Sequence, residues 1–133
     1  MSFKTLMIIK AVVCLVFGIA FIFLPSKLLS IFGVTLGTGA VFPAWEYGAA
    51  ILGNLVLTWS ARNASESVAR AAIIWALFVY DGIGVIVSLV GVFTGILNSL
   101  GWLVVVLYLF FTLGFGYFAF VSPEAKPQTA ATN

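Results

Sequence analysis

Residues 68–93 read VARAAIIWALFVYDGIGVIVSLVGVF. Beyond its first turn the stretch carries a single charge, Asp81, in an otherwise apolar run. A hydrocarbon core of about 30 Å is crossed by roughly 20 mostly apolar helical residues, so this segment is long enough to span it. The run is continuous and lacks the in-out alternation of a barrel strand, which makes it a helix.

Three further stretches meet the same test. One runs from about 5 to 24 and is closed by Pro25, which cannot extend a helical hydrogen-bond ladder. The others run from about 43 to 61 and from about 100 to 121, the last stopping before Ser122-Pro123. The predicted fold is all-α: one transmembrane domain over 1–121, an antiparallel four-helix bundle in which each helix runs against its sequence neighbour. The tail, 122–133, is rich in proline and small residues and is expected to be disordered and cytoplasmic.

Composition points the same way. Of 133 residues, 63% are hydrophobic and 8% charged, and mean hydropathy is +1.23. Soluble domains have about 45–50% and about 25%, so there is too little polar surface here to cover a water-soluble particle. Six basic residues against four acidic give +2, too sparse for nucleic-acid binding, which needs clustered Lys and Arg. With no histidine, the usual general base and the commonest metal ligand are missing. The single cysteine, Cys14, excludes an internal disulfide, a CxxC redox centre and a thiolate zinc site. No phosphate loop, HExxH or Ser-His pairing occurs. The expectation is therefore no enzymatic activity, no metal and no cofactor. The expected partners are the lipid bilayer and either a membrane protein or a second copy of the chain.

Between the first two spans, PSKLLSIF at 25–32 has the apolar residues for one or two helical turns in the interface, with Lys27 reaching outward. The link ARNASESVAR is polar, and Asn63 with Glu66 three residues on reads as an N-cap and capping-box partner for the third helix. Lys4, Lys10, Arg62, Arg70 and Lys126 fall on one side and Lys27 alone on the other. Both termini are therefore expected in the cytoplasm, with the protein in the inner cell membrane. Trp45, Tyr47, Trp59, Trp75 and Trp102 sit near span ends as interfacial aromatics do, while Tyr80 and Tyr108 lie deeper. A competing reading takes the first span as a signal peptide cleaved near Gly18-Ile19-Ala20. Against it, the apolar run continues through Leu24 and is interrupted by Lys10.

Helices in lipid associate through close packing of small residues. The third span carries Asp81, Gly84, Ser88, Gly91 and Gly95 on one stripe, and the first carries Ala11, Cys14, Gly18, Phe21 and Pro25. The second offers Glu46, Ala49, Ala50 and Gly53 on one face; the fourth offers Tyr108, Thr112, Gly116 and Ala119. These faces are expected to form the helix seams.

Asp81 lies some 18–20 Å into its span, near the midplane, where a charged aspartate costs on the order of 3 kcal/mol. It is expected to face the interior, either as a proton- or cation-binding carboxylate or as an acid hydrogen-bonded to Tyr80, Asn54, Thr58 or Tyr108. Glu46, at the outer start of the second span, reads as a cation gate or as a carboxylate favoured by the helix dipole and paired with Lys27. Lys10 has two readings, snorkelling to the cytoplasmic surface or reaching toward Asp81. An axial gap of about 10 Å exceeds the roughly 6 Å reach of its side chain, so a direct bridge needs tilt or a water and snorkelling is favoured.

The stretches FLPSKLLSIFG, YGAAILGNLVLTWSAR and LNSLGWLVVVLYLFFTLGFGYF resemble a widespread type of small bacterial four-span membrane protein of unknown function. In that type a proline and an FG flank the first extramembrane segment, and an N-x-LGW motif opens the fourth span. The resemblance covers roughly residues 15–120 and implies no activity or catalytic residue. In size the chain is also similar to small multidrug transporters, but their functional acid lies in the first span, where this chain has Lys10. The expected function is a structural or accessory subunit, or a helical bundle that binds an apolar ligand. The alternative is a proton- or cation-coupled transporter or channel using Asp81.

Overall fold

A computed structural model describes residues 1–121; the tail expected to be disordered lies outside the described residues. All regular elements among the described residues are helices, with no strand among them. Helix α1 (Phe3–Phe23) starts on Ser2, whose hydroxyl accepts from the Thr5 amide at 3.1 Å. That bond satisfies one of the free amides of the first turn. The helix stops at Leu24 because proline follows and disfavours a helical conformation in the residue before it. Pro25 instead opens α2 (Pro25–Ile31), where its fixed φ and missing N–H suit the first position.

A 3-10 turn (Thr38–Ala40) leads into α3 (Val41–Ala61), followed by α4 (Val68–Phe93) and α5 (Gly101–Gly116). A π turn, Tyr117–Val121, continues α5. Four helices (α1, α3 with its lead-in turn, α4, and α5 with its π turn) are long and apolar enough to cross a membrane. The chain is a multi-pass membrane protein.

One cap differs from expectation. The N-cap of α4 is Ser67, not Asn63, and its hydroxyl accepts from the Arg70 amide at 3.1 Å. Ser67 stands directly before the apolar run, so its hydroxyl reaches the first-turn amides without extending the helix into the polar link.

The long helices pair closely. A Cβ at Gly18 of α1 would stand 2.6 Å from Leu52 of α3, and one at Gly48 of α3 would stand 2.9 Å from Phe21 of α1. The two helices therefore run antiparallel. Gly84 faces Tyr108, Gly116 faces Phe78 and Gly101 faces Val92, which makes α4 and α5 a second antiparallel pair. Across the pairs α1 runs against α5, with Phe3 edge-on to Phe118 at 5.6 Å and Leu6 against Gly114. It runs alongside α4, where Arg70 stacks on the Phe3 ring at 4.0 Å.

The seams follow the expected stripes only in part. Ala11, Cys14, Gly18 and Pro25 are buried, as are Asp81, Ser88 and Gly91. On α3 the buried face is Ala44, Gly48, Ile51 and Thr58. Glu46, Ala49, Ala50 and Gly53 are exposed on the other side, and a Cβ at Gly53 would meet nothing within 4 Å. Small residues are tolerated on a lipid-facing surface as well as in a seam, so size alone did not mark the inner face. Gly95 lies beyond the end of α4 with φ +75°, where it makes a left-handed turn rather than a packing contact.

The two ends of the molecule are filled differently. Phe3, Leu6, Met7, Ile74, Leu77, Phe111, Phe115 and Phe118 form a close-packed core at the end where α1 and α4 begin. The opposite half holds a cavity.

Candidate functional site

The floor of that cavity is an ion pair. Lys10 of α1 donates to Asp81 Oδ1 of α4, and the two residues are 3% and 0% exposed. Lys10 thus does not snorkel, and the reason is register. The helices are not level at their starts: Arg70, two residues into α4, lies beside Phe3. From that level Asp81 stands about 16 Å along α4 and Lys10 about 10 Å along α1, and a lysine stem spans the remaining 6 Å or so. In a low-dielectric interior an available carboxylate is a stronger attraction for the ammonium than a distant interface.

The ammonium is also ringed by aromatic faces. Its Nζ lies 4.3 Å from the ring centre of Phe111, 5.2 Å from Tyr80 and 5.9 Å from Tyr108. Such contacts partly replace lost hydration of a buried cation. Asp81 Oδ2 is buried without a hydrogen-bond partner among the described residues.

The four residues expected to hydrogen-bond Asp81 do other things. Tyr80 and Tyr108 both meet the hydroxyl of Tyr47, at 3.2 and 2.5 Å. The Thr58 hydroxyl donates to the Asn54 carbonyl of its own helix at 2.7 Å. The Asn54 side chain is half-buried and makes no hydrogen bond among the described residues. Glu46 is exposed, and no ion pair joins it to Lys27. Tyr47, read from the sequence as an interfacial aromatic, is instead the hub of the hydroxyl cluster; its edge-on contact with Phe21 at 5.0 Å turns it inward.

Above Lys10 and the tyrosines the cavity measures about 190 Å³. Its walls are Cys14, Phe17 and Phe21 of α1, Ile51 of α3, and Leu103, Val104 and Leu107 of α5. Leu28, Leu29 and Phe32, from α2 and its end, roof it together with Leu97. The roof is fastened by Asn98, which donates from its side chain to the Ile31 carbonyl at 2.9 Å and from its amide to the Phe32 carbonyl at 2.8 Å. Gly33 beside it has φ +83°, and a Cβ there would sit 3.1 Å from Asn98. On the far side of the tyrosines a more open groove of about 260 Å³ runs along Ile83, Gly84 and Val87. The tyrosine cluster is therefore the wall between the cavity and an outward-facing crevice.

Among the described residues Glu46 is exposed and Asp81 is buried and matched by Lys10, so these two acids do not converge on one point. Compared with protein-family models, curated proteins and solved structures, the chain matches none of them.

Proposed function

We propose that this is a non-enzymatic inner-membrane protein that binds an apolar ligand between its helices, acting alone or as an accessory subunit. In this reading the four long helices stand in the bilayer as one antiparallel bundle with both termini in the cytoplasm. Lys4, Arg62 and Arg70 mark the cytoplasmic end and Lys27 the outer one.

The cavity carries the reading. At about 190 Å³ it exceeds the roughly 150 Å³ apolar cavity that admits benzene. Its lining is almost wholly aliphatic and aromatic, with a few polar groups gathered at one end, as in small-molecule sites generally. The transporter reading is weaker because Lys10 stands where a coupling cation would have to bind Asp81.

The test is photolabelling in nanodiscs with trifluoromethyl-phenyl diazirine, mapped by mass spectrometry. Saturable labelling is expected at Cys14 and Leu107, with non-saturable labelling at the outward-facing Ile86 and Leu113. Labelling confined to the outward positions removes the ligand reading. Proteoliposomes in which the wild type moves protons or cations and Asp81→Asn does not would put a transporter in its place.

A further inference from the structure

The polar end of the cavity donates hydrogen bonds and carries no net charge. An ammonium has three N–H donors, and among the described residues the sole hydrogen-bond acceptor for Lys10 is Asp81 Oδ1. The remaining donors face the aromatic ring faces and the cavity that Lys10 lines. Asp81 does not line that cavity; the other polar side chains that do are the hydroxyls of Tyr47, Tyr80 and Tyr108 and the Cys14 thiol. Two hydrogen bonds among the three hydroxyls leave one phenolic O–H free to donate. A molecule entering from the apolar side thus meets the ammonium and that O–H, and the carboxylate lies behind them.

The charge balance then selects among acceptors. Lys10 and Asp81 cancel one another. An anion seated on Lys10 would add an uncompensated charge inside an apolar chamber, where desolvation is costly. A neutral oxygen acceptor takes the same N–H groups without that cost. A hydrocarbon leaves them unused.

We propose that the cavity recognises a neutral, largely apolar molecule bearing a carbonyl oxygen, such as a ketone or an ester. The carbonyl sits on Lys10 and the one tyrosine O–H left free, and the apolar body lies between Phe17, Phe21 and Leu107. This rests on the apolar-ligand reading and names the ligand class within it.

Three probes of similar size separate the possibilities: acetophenone, ethylbenzene and benzoate, each competing with the aryl diazirine for Cys14. Concentrations are corrected for partition into protein-free nanodiscs. On the wild type acetophenone is expected to compete about tenfold better than ethylbenzene, the scale of one hydrogen bond to a charged group, with benzoate weakest. In the double variant Lys10→Met with Asp81→Leu, the ketone's advantage over the hydrocarbon is expected to shrink severalfold, to what a tyrosine O–H alone supplies. A reading that needs no variant is the infrared carbonyl band of acetophenone, which should move to lower frequency on the wild-type protein relative to protein-free nanodiscs. Equal competition by acetophenone and ethylbenzene on the wild type, or an unmoved carbonyl band, overturns the acceptor proposal and leaves the apolar site standing. Benzoate as the best competitor overturns the neutrality argument. If no probe displaces the label, the apolar-ligand reading itself falls.

Discussion

Lys10 and Asp81 meet across 71 positions of sequence, on two helices that run side by side, at the boundary between the packed core and the cavity. The pair joins the α1–α3 hairpin to the α4–α5 hairpin at a depth where water does not compete. An ion pair so placed fixes how the two hairpins are aligned more than it adds to stability, because both charges had to be desolvated to form it.

Removing one partner is therefore expected to be worse than removing both. Lys10→Met or Asp81→Leu alone should cost about 3–5 kcal/mol of unfolding free energy, while the double replacement should recover most of it. Denaturant unfolding in micelles gives the comparison. A double variant as unstable as the sum of the two singles would mean zero coupling energy, so that the two residues do not act as a pair.

Gly84 and Gly53 make a matched contrast. A Cβ on Gly84 would run into the Tyr108 ring, so Gly84→Ala should cost about 1–3 kcal/mol and disturb the tyrosine cluster. Gly53→Ala, on an open face of α3, should be neutral or stabilising by up to about 1 kcal/mol. Thermal melts of the two variants in the same detergent decide it, and a reversed order would place the α3 and α4 seams elsewhere.

Asn98 is the fastening of the cavity roof, and its side chain also accepts from the Leu100 amide at 3.0 Å. Asn98→Ala leaves the Phe32 backbone bond but loses both side-chain bonds. Freed by about 1 kcal/mol, the roof should open more often and raise the rate of N-ethylmaleimide reaction at Cys14 about fivefold. An unchanged rate would mean that α2 is not on the access route.

Orientation has its own measurement. A cysteine at Ser65, in the link between α3 and α4, should react with a membrane-impermeant maleimide only after cells are permeabilised. Cys14 is buried and should give little background. Labelling in intact cells would reverse the assignment of the cytoplasmic side.

Some of this was legible in the sequence. Four uninterrupted apolar lengths announce four long helices, and Pro25 marks where the first of them must break. Asp81 stands out because one acid in a long apolar run has few places to go. Its partner did not stand out, because the match to Lys10 depends on how far α4 is shifted against α1. That shift is set by contacts such as Phe3 with Arg70, which the periodicity of a single helix does not carry. The inner face of α3 was misread for a related reason. Ala49, Ala50 and Gly53 are small, but Gly48 is the residue that opposes Phe21 and Ile22, and only the partner helix reveals it. Tyr47 followed from that error, since turning α3 to bury Gly48 also brings its neighbour to Tyr80 and Tyr108.

A body that is dense at one end and hollow at the other does not yield evenly under hydrostatic load. Compression should take up volume first around Phe17, Phe21 and Leu107, leaving the Phe3–Phe118 end almost unstrained. Filling the chamber should stiffen that half, so an occupied molecule and an unoccupied one would differ in compressibility before they differed in shape.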